Sequence, residues 1–67
     1  MFGERLKELR KEHNMLQKDL AKLLNVRNTT VSAWETGDNE PDLKTLAQIA
    51  KIFAVTTDYL LGLTDEY

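Results

Sequence analysis

The sequence predicts an all-α domain on three observations. Apolar residues recur at three- and four-residue intervals through nearly every segment, with no strand-like alternation. No repeat, low-complexity tract or long linker interrupts the 67 residues. Residues that end helices, Gly37 and Gly62 among them, fall where the apolar periodicity stops.

The first helix is expected over about residues 2–13. Phe2, Leu6 and Leu9 form its apolar stripe, Glu4, Arg5, Lys7, Glu8, Arg10, Lys11 and Glu12 occupy the other faces, and it ends near His13 and Asn14. A second helix is expected over 17–24, burying Leu20, Ala21 and Leu24, and a third over 28–35, burying Val31 and Trp34. Gly37 closes the third helix, and the DNEPD run leads to Pro41 at the start of a fourth, over 42–53, whose expected core face is Leu43, Leu46, Ala47, Ala50 and Phe53. Thr56 is the expected N-cap of a short fifth helix, 57–61, with Leu60 and Leu61 directed to the core.

Composition bounds the function. A chain of 67 residues is one small domain, and without cysteine it has neither disulfides nor thiolate metal sites, so helix packing must hold it. No metal site and no cofactor is expected. No apolar run reaches the roughly 18 residues of a membrane span, and Met1 begins no basic-then-apolar leader, so a cytoplasmic protein is expected, with no membrane partner. One histidine, no HExxH, no phosphate-cradling glycine run and no nucleophile elbow argue against an enzyme and assign no catalytic residue or small-molecule ligand. His13 reads as a surface residue at a helix end. The net charge of −2 conceals an asymmetry: residues 1–34 carry +3 and residues 35–67 carry −5. A dipolar domain of this kind can turn a basic face to phosphate while its acidic end stays in solvent.

Two short helices joined by a three-residue connection, with small Ala21 where they cross, Asn25 able to take a left-handed conformation and Val26 tucked beneath it, have the spacing of a helix-turn-helix. With ERLKELRKE before this unit and PDLKTLAQIAKIFAVTTDYLLGL after it, the chain resembles the Cro/C1-type (XRE) family, which includes the lambdoid phage repressors. The resemblance covers essentially the whole chain. It implies a five-helix, lambda-repressor-like fold and a sequence-specific transcriptional regulator, in the first instance a repressor, that binds double-stranded operator DNA as a homodimer on a palindromic site. It further implies that Gln17 meets phosphate, that Asn28, Thr29, Ser32 and Ala33 lie on the face of the third helix that enters the major groove, and that Arg10 pairs with Glu35. Arg10 has an alternative role as a phosphate contact.

The expected reading face has a definite chemistry. Asn28 can contact adenine bidentately, Thr29 and Ser32 offer hydroxyls, and Thr29 and Ala33 offer methyl groups for thymine, so the half-site is expected to be rich in A·T where this helix touches it. Asn28 has a second reading as the helix cap.

Departures from the family pattern sharpen the remaining expectations. Asn14 and Asn25 stand at usual glycines, and Leu16 and Arg27 stand at usual Ser or Thr caps. Asn14 with Gln17 is a candidate capping box that would start the second helix earlier. Asp38 and Glu40 replace basic residues in the loop after the third helix, leaving Arg10, Lys11, Lys18, Lys22 and Arg27 as the cations for phosphate, with Arg27 best placed. Apolar residues near the C-terminus outnumber core positions, so a dimer surface is expected among Tyr59, Leu60, Leu63 and Tyr67, with a frayed end the alternative for Leu63 and Tyr67. A protein-interaction module on the same fold, antitoxin-like or antirepressor-like, is the competing functional reading. The neutral reading face and the acidic loop favour it; the basic first half and Gln17 favour DNA.

Overall fold

The computed structural model describes all 67 residues and contains five helices: α1 (Phe2–Glu12), α2 (Gln17–Leu24), α3 (Asn28–Thr36), α4 (Leu43–Phe53) and α5 (Thr57–Leu60). One core gathers Leu6 and Leu9 of α1, Leu20, Ala21 and Leu24 of α2, Val31 and Trp34 of α3, Leu46, Ile49, Ala50 and Phe53 of α4, and Tyr59 and Leu60 of α5. In α1 to α4 each set repeats at three or four residues, as one buried face of a helix requires.

Helices α1, α2 and α4 end by one device. Asn14, Asn25 and Ala54 adopt φ of 56°, 57° and 55°. The residue after each, Met15, Val26 and Val55, donates its N–H back to Arg10, Ala21 and Ala50 at 2.9, 2.9 and 3.0 Å. Those three residues pack their side chains on the core. A left-handed residue followed by a hydrophobic one thus satisfies the last carbonyls and fixes the exit direction. Asparagine adopts this conformation readily; alanine does so at some cost. Helix α3 ends on Gly37, with φ 88°.

Beginnings differ. Asp42 Oδ1 accepts from the Thr45 N–H at 2.8 Å and Thr56 Oγ1 from the Tyr59 N–H at 3.0 Å, so α4 and α5 are capped. Helices α2 and α3 begin after Leu16 and Arg27, whose side chains make no capping bond.

Several expectations are corrected. Helix α4 starts at Leu43, with Asp42 rather than Pro41 at its threshold, because the aspartate carboxylate captures the Thr45 N–H. The buried face is Leu46, Ile49, Ala50 and Phe53, with Ile49 in place of Leu43 and Ala47, which leaves Leu43 84% exposed and Ala47 on the surface. Leu61 lies beyond the end of α5 and is 47% exposed, so it is not core. Asn14 caps nothing, since its left-handed conformation ends α1; instead Asp19 Oδ2 accepts from the Leu16 N–H at 2.8 Å at the start of α2.

Gly3 is what lets α1 lie against the end of α3. A Cβ built there would sit 2.5 Å from the Trp34 carbonyl oxygen and 2.6 Å from that of Glu35, backbone atoms that cannot swing aside.

Candidate nucleic-acid interface

The connection between α2 and α3 is Asn25–Val26–Arg27. Ala21 is buried at the crossing, Asn25 makes the turn at φ 57°, ψ 44°, and Val26 closes beneath it. Val31 and Trp34 hold the inner side of α3. At about 100° per residue, Asn28, Ser32, Thr29 and Ala33 fall within an arc of about 140° on the opposite side. Asn28 and Thr29 are exposed, and Ser32 and Ala33 are partly exposed. The four residues therefore share one accessible face with no charge on it. Asn28 is the first residue of α3, following Arg27 in extended conformation, and does not cap the helix.

A buried ion pair sets the angle between α3 and the rest. Arg10 Nε donates to Glu35 Oε2 at 2.7 Å and Arg10 Nη2 to Glu35 Oε1 at 3.1 Å, with side chains 9% and 4% exposed. Arg10 Nη1 donates to the Met15 carbonyl at 2.8 Å. Gln17 Nε2 donates to Glu35 Oε1 at 3.0 Å. One cluster thus joins α1, the α1–α2 connection, the first residue of α2 and the end of α3. Of the two roles expected of Arg10, the pairing is the one seen: its guanidinium is buried and bonded through three nitrogens.

Lys11, Lys18, Lys22 and Arg27 are exposed, with Lys18 at the start of α2 and Arg27 immediately before α3. Asp38 and Glu40 are exposed in the α3–α4 connection.

The residues expected to form a dimer surface separate into two groups. Leu60 is fully buried and Tyr59 is 8% exposed, so both belong to the core and neither offers a surface. Leu63 is 73% and Tyr67 58% exposed. Tyr67 is nonetheless tied down and not frayed. Its ring meets Tyr59 edge-on at 4.8 Å, its hydroxyl donates to Glu12 Oε1 at 3.0 Å, and its carbonyl accepts from the Thr56 N–H at 2.8 Å. The bond to Glu12 raises the phenol pKa above its ordinary value. Arg5 completes this fastening, a role its place among polar residues of α1 did not signal. It lies 4.2 Å over the Tyr59 ring, donates to the Tyr59 carbonyl at 2.7 Å and to the Thr64 carbonyl, and pairs with Asp65 at 2.8 Å. Two of the other exposed apolar side chains, Leu43 and Leu61, border a groove with Phe2, Glu40, Pro41 and Leu46.

Two short helices fixed at one angle, the second presenting a small neutral face beside exposed cations, define the helix-turn-helix class. The chain belongs to the Cro/C1-type helix-turn-helix family: a family model described as Helix-turn-helix matches residues 6–60. It is 43% identical over 61 residues to the HTH-type transcriptional activator BcrR of Enterococcus faecalis, an alignment covering 91% of this chain and 30% of that protein. The P22 c2 repressor bound to a synthetic operator superposes with a TM-score of 0.84 at 33% identity, covering 90% of this chain and 91% of that one. A transcriptional regulator from Listeria innocua does so at 0.90 and 36%, covering 100% and 63%. The chain spans about half the length, or less, of the curated relatives it matches.

Proposed function

We propose that this chain is a sequence-specific double-stranded DNA-binding domain of a transcriptional regulator, inserting the first half of α3 into the major groove. The observation that carries the reading is the accessible Asn28, Thr29, Ser32 and Ala33 face on a helix whose angle is fixed by a buried ion pair. The likeness to a repressor solved with its operator supports it. Asn28 and Thr29 read base edges, and Ser32 and Ala33 meet thymine methyls or deeper edges, giving an A·T-rich half-site. Lys18 and Arg27 contact phosphate, with Lys11 at the periphery. Gln17 and the uncapped N-termini of α2 and α3 add neutral donors where the helix dipole favours an anion. Repression in the cytoplasm, by occupation of the operator, is the regulatory reading.

About two to four phosphate contacts per copy give weak binding by one domain, so useful affinity comes from a homodimer on a palindrome. The longest extent of 28 Å lets two copies lie side by side on successive major-groove faces about 34 Å apart. Leu43, Leu61 and Leu63, rather than Tyr59 and Leu60, supply the apolar surface for that second copy.

Selection of binding sequences from random duplexes, followed by anisotropy titration over a salt series, tests the reading. Recovery of an inverted repeat with A·T at the α3 positions is expected. Arg27→Ala should lower the salt slope by about 1, and Asn28→Ala with Thr29→Ala should remove the sequence preference. Absence of any duplex binding would instead favour the protein-interaction reading, to which the acidic Asp38 and Glu40 connection lends support.

A further inference from the structure

The Glu35 carboxylate receives three hydrogen bonds, and the third comes from outside the ion pair. Gln17 Nε2 reaches Glu35 Oε1 at 3.0 Å from the opposite end of the helix-turn-helix unit. We propose that Glu35 is a positioning residue for DNA binding: its buried carboxylate orients the Gln17 amide at the start of α2 so that the amide meets the DNA backbone already aligned. The inference rests on the DNA-binding reading given above.

A glutamine amide can rotate to present either its oxygen or its NH2 group, and a carboxylate accepts only from the NH2. Contact with Glu35 therefore fixes which way round the amide sits. It leaves one N–H and the carbonyl oxygen of a half-buried side chain at the first residue of α2, a position with no side-chain cap. Glu35 is itself held on both oxygens by Arg10, and Arg10 is held to the connection before Gln17 by the Met15 carbonyl. The acceptor is thus rigid relative to the helix it serves. Ordering a glutamine before binding removes part of the side-chain entropy that the contact would otherwise cost. Arg10 supports this arrangement as counterion, since an unpaired carboxylate could not stay buried there.

The test compares the unaltered chain, which has the carboxylate acceptor for Gln17, with Arg10→Met plus Glu35→Leu, which removes cation and acceptor together; both carry the same net charge. Their folding is matched by circular dichroism, and binding is read by anisotropy with a mixed-sequence 30-base-pair duplex. The double variant should bind about fivefold more weakly than the unaltered chain, the value of one hydrogen bond near 1 kcal/mol. The salt slope should be the same in both, because Gln17 carries no charge to displace counterions. The difference should vanish when Gln17→Ala is added to each. In parallel, the Gln17 side-chain amide resonances of the free protein should shift on removing the acceptor.

Equal affinity of the unaltered chain and the folded double variant would overturn the proposal, as would a difference that survives Gln17→Ala. Shifted Gln17 resonances with no duplex bound even by the unaltered chain would instead overturn the DNA-binding reading while leaving the hydrogen bond in place.

Discussion

Replacing Gly3 by alanine sets two effects of opposite sign against each other. In an exposed helix the change favours folding by about 1 kcal/mol, from helix propensity and a less flexible unfolded chain. Here the new methyl carbon would lie 2.5 Å from the Trp34 carbonyl oxygen and 2.6 Å from that of Glu35, about an ångström inside ordinary contact near 3.5 Å. Both obstacles are backbone atoms of the last turn of α3, so relief requires moving α1. Such overpacking costs about 1–3 kcal/mol or more. The same displacement strains the 2.7 Å bond from Arg10 to Glu35, which spans the same two helices. Fraying the first turn is no easy escape, because Phe2 packs against the core. Because both obstacles are backbone atoms, the cost falls at about 2–3 kcal/mol, and the net expectation is a loss of about 1–2 kcal/mol, seen as a fall in Tm of about 5–15 °C by circular dichroism. A Gly3→Ala variant with unchanged or higher Tm would show that α1 and α3 do not approach as closely as argued.

Three further outcomes follow from the same structure. Ala54→Gly should stabilise the domain by about 0.5–1 kcal/mol in urea unfolding, since Ala54 sits at φ 55° and glycine relieves that conformation. Hydrogen bonding from Thr45, through its side chain and then its backbone N–H, holds the Asp42 carboxyl below the usual 3.8. A folded-state pKa below the unfolded one contributes stability that is present above 3.8 and lost as pH falls through the folded value. The Tm advantage of the native chain over Asp42→Ala should therefore narrow in that acid range, while Asp42→Asn, which keeps an acceptor that does not titrate, should show no such narrowing. Arg10→Met alone should cost about 3 kcal/mol by stranding the buried Glu35 carboxylate, and adding Glu35→Leu should recover part of that loss, a non-additivity readable in a double-mutant cycle.

Much of the candidate interface, the exposed side of α3, was legible because its determinants are local. The spacing of Leu20, Ala21, Leu24, Val31 and Trp34 dictates two helices with one buried side, so Asn28, Thr29, Ser32 and Ala33 had to face outward. The misreadings were long-range. Leu60 and Leu61 are adjacent and equally apolar, yet one is fully buried and the other 47% exposed, because the turn beyond α5 carries Leu61 past the core. Arg5 resembles its charged neighbours in α1, but its partners lie at Tyr59, Thr64 and Asp65, across the length of the chain. Ala54 gives no sign of a left-handed turn, since alanine favours continuing the helix. Gly3 stood in α1 without an assigned role, and only the 2.5 Å that a Cβ would leave to the Trp34 carbonyl oxygen shows why glycine is there.

By itself the sequence determined the five helices, the turn at Asn25 and the uncharged outer side of α3, because periodicity and turn chemistry depend on residues within one or two helical turns. Tertiary structure decided the rest. It buried Arg10 against Glu35, joined Gln17 to that pair, fastened Tyr67 to Glu12, and left Leu43 and Leu61 uncovered. Each depends on the distance between residues far apart in the chain, which is set by how closely the helices pack and by the one glycine, Gly3, that lets α1 and α3 meet.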